Sequence, residues 1–313
     1  MNKAFVFPGQ GSQIVGMGKE FFDNYQIAKD VFNEVDDALG KKLSNIMFNG
    51  PQESLTQTEN AQPAIMCASI AILKVLEKES GKSIEQLCKY VAGHSLGEYS
   101  ALCASGALTL SDTAKLLKIR GESFAEAGKN SKGSMCALVG ATIEQAEEIA
   151  NKAKQNNEIC QVANDNTVGQ VVLSGNEKSI DQAIKIATEI GIKRAIKLQV
   201  SGAFHSELMK PAIENMEKAL NNIKISTPKV PLISNFTAKE SKNPQEIKDN
   251  LLKQITGRVR WRETMKLFEQ NGITDIIEIG SGKVLSGMVA KTCPEIKSFS
   301  INSIESLKEF LIK

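Results

Sequence analysis

The sequence predicts an α/β fold in two parts: a large domain on a mostly parallel sheet, and a small inserted subdomain of ferredoxin-like (βαββαβ) order. Three observations carry that reading. Short apolar runs bounded by Gly and Pro alternate with longer helical patterns, as in a parallel sheet covered by helices. Between residues 128 and 196 the order changes to β-α-β-β-α-β. With 313 residues and 42% hydrophobic content, the chain can bury one large core and a smaller one.

In chain order, residues 4–7 (Ala-Phe-Val-Phe) are a buried strand, stopped by Pro8-Gly9. Residues 63–79 are apolar on most sides and predict a buried helix. Residues 90–92 form a second strand, ending at Gly93. A helix over 111–127 sets Leu116, Leu117, Phe124 and Ala127 on one face. In the inserted part, 135–139 is a strand, and Thr142 with Gln145 forms a capping box before a helix carrying Ile143, Ala146, Ile149, Ala150 and Ala153. Strands at 159–163 and 170–173 follow. Asn176 is expected to cap a helix with Ile180, Ala183, Ile184, Ala187 and Ile190, and a last strand starts in 194–200. The runs 232–233, 275–279 and 299–301 return to the large sheet. The expected division is 1–127 with 197–313 as the large domain, and 128–196 as the small one.

Composition excludes several classes of function. Charged residues are 24% and the net charge is +2, so neither disorder nor nucleic-acid binding is expected. No apolar run approaches the roughly 18–20 residues of a membrane span, and the start lacks a secretory apolar core, so no membrane association and a cytoplasmic location are expected. The six cysteines form no C-x-x-C pair and read as reduced core residues. With two histidines and no H-E-x-x-H, no metal site is expected.

Gly93-His94-Ser95-Leu96-Gly97 is a G-x-S-x-G string between a strand and a helical pattern, the context of a nucleophile elbow and of an α/β-hydrolase-like large domain. A serine on so sharp a turn projects its hydroxyl above the sheet. The Leu96 N–H, at the helix start, points where an oxyanion would form. The alternative is a purely structural turn. A serine needs a base. His94 adjoins Ser95 on the turn and should point elsewhere, so elimination leaves His205, on a loop after the last strand of the insert. No aspartate is evidently placed to orient it; a backbone carbonyl can fix the imidazole tautomer without a carboxylate.

Pro8-Gly9-Gln10-Gly11 follows the first strand. A dinucleotide fingerprint would need glycine at Ile14, so the better reading is that the glycines bring the backbone close to the reacting centre, with the Gln10 N–H as second oxyanion donor; the alternative is a plain tight turn. Arg120 falls in the apolar stripe of its helix. It either snorkels or makes a structural ion pair, or it is a fork for a substrate carboxylate. Arg258, Arg260 and Arg262 make a basic patch that either receives phosphates or an acidic protein, or is a solvated surface. Residues 278–283 end in Gly-Lys but lack the P-loop spacing.

Taken jointly, F-P-G-Q-G-S-Q at 7–13, G-H-S-L-G-E-Y at 93–99, Arg120, G-A-F-H-S at 202–206 and G-S-G-K at 280–283 resemble the malonyl-CoA:acyl-carrier-protein transacylases, over essentially the whole chain. The resemblance implies transfer of a malonyl group from malonyl-CoA to acyl carrier protein through a malonyl-serine intermediate, in the service of fatty-acid elongation. It implies Ser95 as nucleophile, His205 as base, the Gln10 and Leu96 amides as oxyanion hole, and Arg120 as the grip on the malonyl carboxylate. It adds Gln254, whose main-chain carbonyl would orient the histidine, Asn164 near the substrate, and Phe204 as the ring that disfavours an α-methyl group. One methyl is worth only about 1–3 kcal/mol of such discrimination. It further implies a monomer with no cofactor, CoA thioester and phosphopantetheine being substrates. The rival readings are a hydrolase or thioesterase of the same architecture, and a catalytically silent scaffold.

Overall fold

Ten strands form two sheets in the computed structural model, which describes residues 2–154 and 157–312. They are β1 (Lys3–Phe7), β2 (Tyr90–Gly93), β3 (Gly133–Val139), β4 (Cys160–Thr167), β5 (Gln170–Asn176), β6 (Arg194–Lys197), β7 (Leu232–Ile233), β8 (Glu240–Ser241), β9 (Asp275–Ile279) and β10 (Lys297–Ile301). The larger sheet runs β10-β9-β1-β2-β7-β8 and is parallel except for the β7–β8 pair.

Strand alternation explains why this sheet is covered on both faces. Phe5 and Phe7 point into one core, shared with the helices Thr58–Ser80 and Leu110–Ser131. Ala4 and Val6 point into the other, against Trp261, Met265 and Phe268 of the helix Trp261–Gln270. A strand buried on both sides reads as a continuous apolar run, which is how 4–7 reads in the sequence. The chain leaves β1 for β2 on one side, and β9 joins β1 on the other. Such a switch in strand order opens a crevice beyond the carboxyl ends of the strands. Phe7 and Gly93, the last residues of β1 and β2, are partners in register, so the loops that follow them leave side by side.

The smaller sheet is antiparallel, β4-β5-β3-β6, the strand order of a ferredoxin-like unit. One face carries Cys136, Leu138, Val171 and Leu173 under the helices Ile143–Ala153 and Glu177–Glu189. The other turns Met135, Ala137 and Val172 toward the core of the large sheet. The Thr142–Gln145 capping box forms as expected. Asn176 stands at the helix start, but its Oδ1 accepts from the Ile159 N–H, 2.7 Å, and not from its own helix. Pinning β4 to the end of β5 is the alternative use of that side chain. The helix Leu110–Ser131 runs through position 128, β4 continues to Thr167, and β6 stops at Lys197. The short, polar edge strand β8 has no apolar period to betray it in sequence. All six cysteines are free, five of them buried. Among the described residues, no helix is long and apolar enough to cross a membrane.

Candidate active site

The turn between β2 and the helix Gly97–Ala104 dictates the geometry of Ser95. A Cβ built on Gly93 would stand 1.9 Å from the Gly97 carbonyl oxygen, and one on Gly97 would stand 2.3 Å from the Phe7 carbonyl oxygen. Only glycine fits either position. Ser95 between them has φ 54°, the left-handed region that a non-glycine residue enters at a cost. Asn235, just beyond β7, holds it there: its Oδ1 accepts the Ser95 N–H at 2.7 Å while its Nδ2 donates to the Gly93 carbonyl at 2.7 Å.

Ser95 Oγ lies 2.8 Å from His205 Nε2, and His205 Nδ1 lies 2.8 Å from the Gln254 main-chain oxygen. A carbonyl oxygen only accepts, so Nδ1 carries the proton and Nε2 is free to accept from the serine. The third group is thus a backbone carbonyl. Burial, with the Arg120 charge behind it, pushes the His205 pKa down to about 3, so the imidazole is neutral at neutral pH. His205 also has a left-handed φ, 56°. From β4, Gln161 donates to its carbonyl oxygen at 3.4 Å and to that of Thr256 at 3.0 Å, and accepts the Glu207 N–H.

Arg120 comes from the adjoining helix and is 1% exposed. Nη1 donates to Gln62 Oε1 at 2.8 Å; Nη2 donates to Gln254 Oε1 at 2.9 Å and to Ser95 Oγ at 3.1 Å. Its guanidinium lies 4.3 Å from the Phe124 ring centroid and 5.6 Å from that of Tyr99. No carboxylate pairs with it among the described residues, and its Nε has no partner there. Of the sequence alternatives, snorkelling to solvent and a structural ion pair are both excluded by this environment. The Glu98 carboxyl acts on it only at a distance, across the Gln254 amide, so no anion contacts the guanidinium and an incoming one is favoured.

These groups line a cavity of about 360 Å³, bounded by Pro8–Gln13 residues on one side and by Met135, Val172 and Leu198 on the other. Gln10 and Asn164 line it, as does Phe204, whose ring lies 5.4 Å from that of Phe124. The Gln10 and Leu96 main-chain N–H groups have no acceptor among the described residues. His94, although it also lines the cavity, turns its Nε2 to Asn166 Oδ1 at 2.8 Å and its ring toward Trp261. The structure therefore brings Gln10, Ser95, Arg120, Asn164, Phe204 and His205 to one cavity, with Leu96 next to Ser95 in the chain and Gln254 bonded to His205 and Arg120.

The basic patch stands apart. Arg258 pairs with Glu147 at 2.5 Å, Arg260 with Glu263 at 2.9 Å, and Arg262 grips Asp165 through Nε and Nη2 at 2.8–3.0 Å. All three guanidiniums are already neutralised, and two of them tie the small sheet's unit to the large one. Sequence reasoning overlooks Gln62, Asn166 and Asn235. Asn235 had one readable signal, a polar residue two positions past a strand's carboxyl end.

Residues 4–305 match the family model described as acyl transferase domain. The malonyl CoA-acyl carrier protein transacylase of Bacillus subtilis is 43% identical over 305 residues, covering 97% of this chain and 95% of that protein. A solved acyl-carrier-protein-S-malonyltransferase from Bartonella henselae superposes with a TM-score of 0.96 at 46% identity, covering 100% of this chain and 99% of the other. A malonyl-transacylase solved in complex with its type II polyketide synthase acyl-carrier protein gives a TM-score of 0.95 at 33% identity, covering 100% and 99%.

Proposed function

The chain belongs to the acyl transferase domain family, and we propose that within it the protein moves a malonyl group from malonyl-CoA to the phosphopantetheine thiol of acyl carrier protein. The observation that carries this reading is the buried, anion-free Arg120 in hydrogen-bond contact with the Ser95 hydroxyl. A nucleophile with a fixed cation beside it suits an acyl group that bears its own carboxylate a short distance from the reacting carbonyl.

Two half-reactions use the same groups. The malonyl carboxylate pairs with Arg120. His205 Nε2 takes the Ser95 proton as Oγ attacks the thioester carbonyl, and the Gln10 and Leu96 N–H groups receive the oxyanion. The C–S bond breaks, His205 returns the proton to the leaving CoA sulfur, and malonyl-Ser95 remains. The phosphopantetheine thiol then gives its proton to His205, attacks the ester, and leaves as the malonyl thioester while Ser95 regains the proton. CoA thioester and phosphopantetheine enter as substrates, and the cycle draws on no cofactor. Gln254 keeps the imidazole in register through its carbonyl. Asn164 is a substrate contact on the cavity wall, and the Phe204 ring narrows the space beside the α-carbon. We further read the protein as a monomer acting in the cytoplasm.

The partition of label tests this. Radiolabelled malonyl-CoA, enzyme and holo acyl carrier protein should yield malonyl-carrier protein far faster than free malonate. Malonate released equally fast with and without carrier protein would point to the hydrolase instead.

A further inference from the structure

Glu98 lies one helical turn past the nucleophile and is fully buried, on a helix otherwise lined with Tyr99, Ala101 and Leu102. It takes no part in the mechanism above. Burial raises its pKa to about 7, against the pull of its hydrogen bonds and of the Arg120 charge, so the carboxylate form is the major one above neutral pH. Its Oε2 accepts from Gln254 Nε2 at 2.6 Å and from the Asn235 N–H at 3.3 Å, while its Oε1 has no partner among the described residues.

The consequence lies in how the Gln254 amide is oriented. An amide nitrogen has two hydrogens. One goes to Glu98 Oε2; the other is shared between the Ser95 carbonyl oxygen at 3.1 Å and Asn235 Oδ1 at 3.4 Å. That leaves Gln254 Oε1 facing Arg120 Nη2 at 2.9 Å. A flipped amide would set its oxygen against the Glu98 carboxylate and the Ser95 carbonyl, and its NH2 against the guanidinium. All three contacts would then be mismatched. Without Glu98 the strongest of the three constraints disappears. Through Asn235 the same carboxylate braces the residue that keeps Ser95 in its left-handed conformation.

We propose that Glu98 is a positioning residue: it orients the Gln254 amide so that Arg120 is aimed at the nucleophile and at the substrate carboxylate. This rests on the malonyl-transfer reading. It makes Glu98 a determinant of acyl selectivity without touching substrate.

The test, run at pH 8 where the Glu98 carboxylate prevails, is the rate of Ser95 acylation by malonyl-CoA and by acetyl-CoA, read by quenched-flow intact mass, in wild type, Glu98→Met, Glu98→Gln, Gln254→Met and the Glu98→Met/Gln254→Met double variant. Replacing a buried charge by an apolar side chain of similar size is often tolerated by the fold, so the Met variant is the primary probe. It should lower the malonyl-to-acetyl rate ratio by about tenfold or more, the worth of one hydrogen bond to a charged group. Glu98→Gln keeps a carbonyl acceptor and should recover most of the ratio. Gln254→Met should lower the ratio similarly, and adding Glu98→Met should lower it no further, because both act through one amide. An unchanged ratio in folded Glu98→Met, or additive losses in the double variant, would overturn the proposal. If Glu98→Met does not fold, Glu98→Leu and Glu98→Ala take its place in the same cycle: a ratio lowered in the folded variant and lowered no further by Gln254→Met supports the relay, and a ratio unchanged in a folded apolar variant overturns it. If wild type is not acylated at Ser95 at all, the malonyl-transfer reading fails first, separately from the role of Glu98.

Discussion

Replacing Arg120 by alanine separates the charged substrate from the uncharged one. The guanidinium is buried and pairs with no carboxylate in the free protein, so the malonyl carboxylate would be its counter-ion. Two unit charges about 4 Å apart at an effective dielectric near 20 attract by about 4 kcal/mol. Breaking a buried pair by removing one partner costs about 3–5 kcal/mol. For Arg120→Ala, kcat/KM with malonyl-CoA should therefore fall by about 10²–10⁴. Acetyl-CoA has no carboxylate and loses only the Nη2 contact to Ser95 Oγ, about tenfold for a charge-assisted bond. The truncation also strands the Gln62 and Gln254 amide oxygens, and the melting temperature should drop. The ratio of the two substrates is thus the informative quantity, since a looser fold lowers both rates together. Thioester consumption, followed by ultraviolet absorbance or by mass, gives both values under the same conditions. Equal losses for malonyl- and acetyl-CoA would refute the carboxylate grip and leave Arg120 a brace for the nucleophile.

Other expectations follow from the same contacts. Gly97→Ala gains about 1 kcal/mol of helix propensity but drives a Cβ to 2.3 Å from the Phe7 oxygen; the overlap, about 3 kcal/mol or more, should win in a urea unfolding curve, and a stability within about 1 kcal/mol of wild type would contradict it. Because the Arg120 charge adds to burial in lowering the His205 pKa, a bound malonyl carboxylate should raise it, so the acid limb of acylation should lie at higher pH with malonyl-CoA than with acetyl-CoA; coincident limbs would argue against that coupling. The same depressed pKa has a stability consequence. Unfolded His205 takes a proton below about 6.5 while the folded one does not until about 3, so its contribution is intact above the unfolded value and is lost as pH falls. The stability difference between wild type and His205→Gln should shrink by up to about 1.4 kcal/mol per pH unit on going from pH 6 to pH 4, and a flat difference would show an ordinary, solvated histidine. Arg262→Gln strands the buried Asp165 carboxylate and should destabilise by about 3 kcal/mol with little change in KM for carrier protein; a KM effect without a stability effect would return the patch to a binding role.

Much of this site can be read from residues because it depends on groups with no substitute. Gly93 and Gly97 mark a turn that leaves no room for a Cβ, and a chain with two histidines offers only one that is not on the turn itself. Arg120 shows as a charge in an apolar stripe. Gln254 is different: its carbonyl does the orienting, and a main-chain role leaves no mark on residue type, so only the family resemblance points to it. Gln62, Asn235 and Asn166 are hidden for another reason. Their partners lie 58, 140 and 72 residues away, and an amide in sequence carries no sign of what it will face. The arginine patch is ambiguous for the same reason, since Glu147 and Asp165 stand 111 and 97 residues from the guanidiniums they neutralise. The fold is legible where the apolar period is strong. It slips at Asn176, whose side chain serves β4 and not its own helix.

The most direct test of the account is the intact mass of the protein after brief mixing with malonyl-CoA, alongside Ser95→Ala. The account predicts one malonyl adduct on the wild type, none on the variant, and its disappearance on adding holo acyl carrier protein with malonyl-carrier protein formed in equal amount. An adduct that survives Ser95→Ala, or no adduct on a protein that still turns over malonyl-CoA, would contradict it.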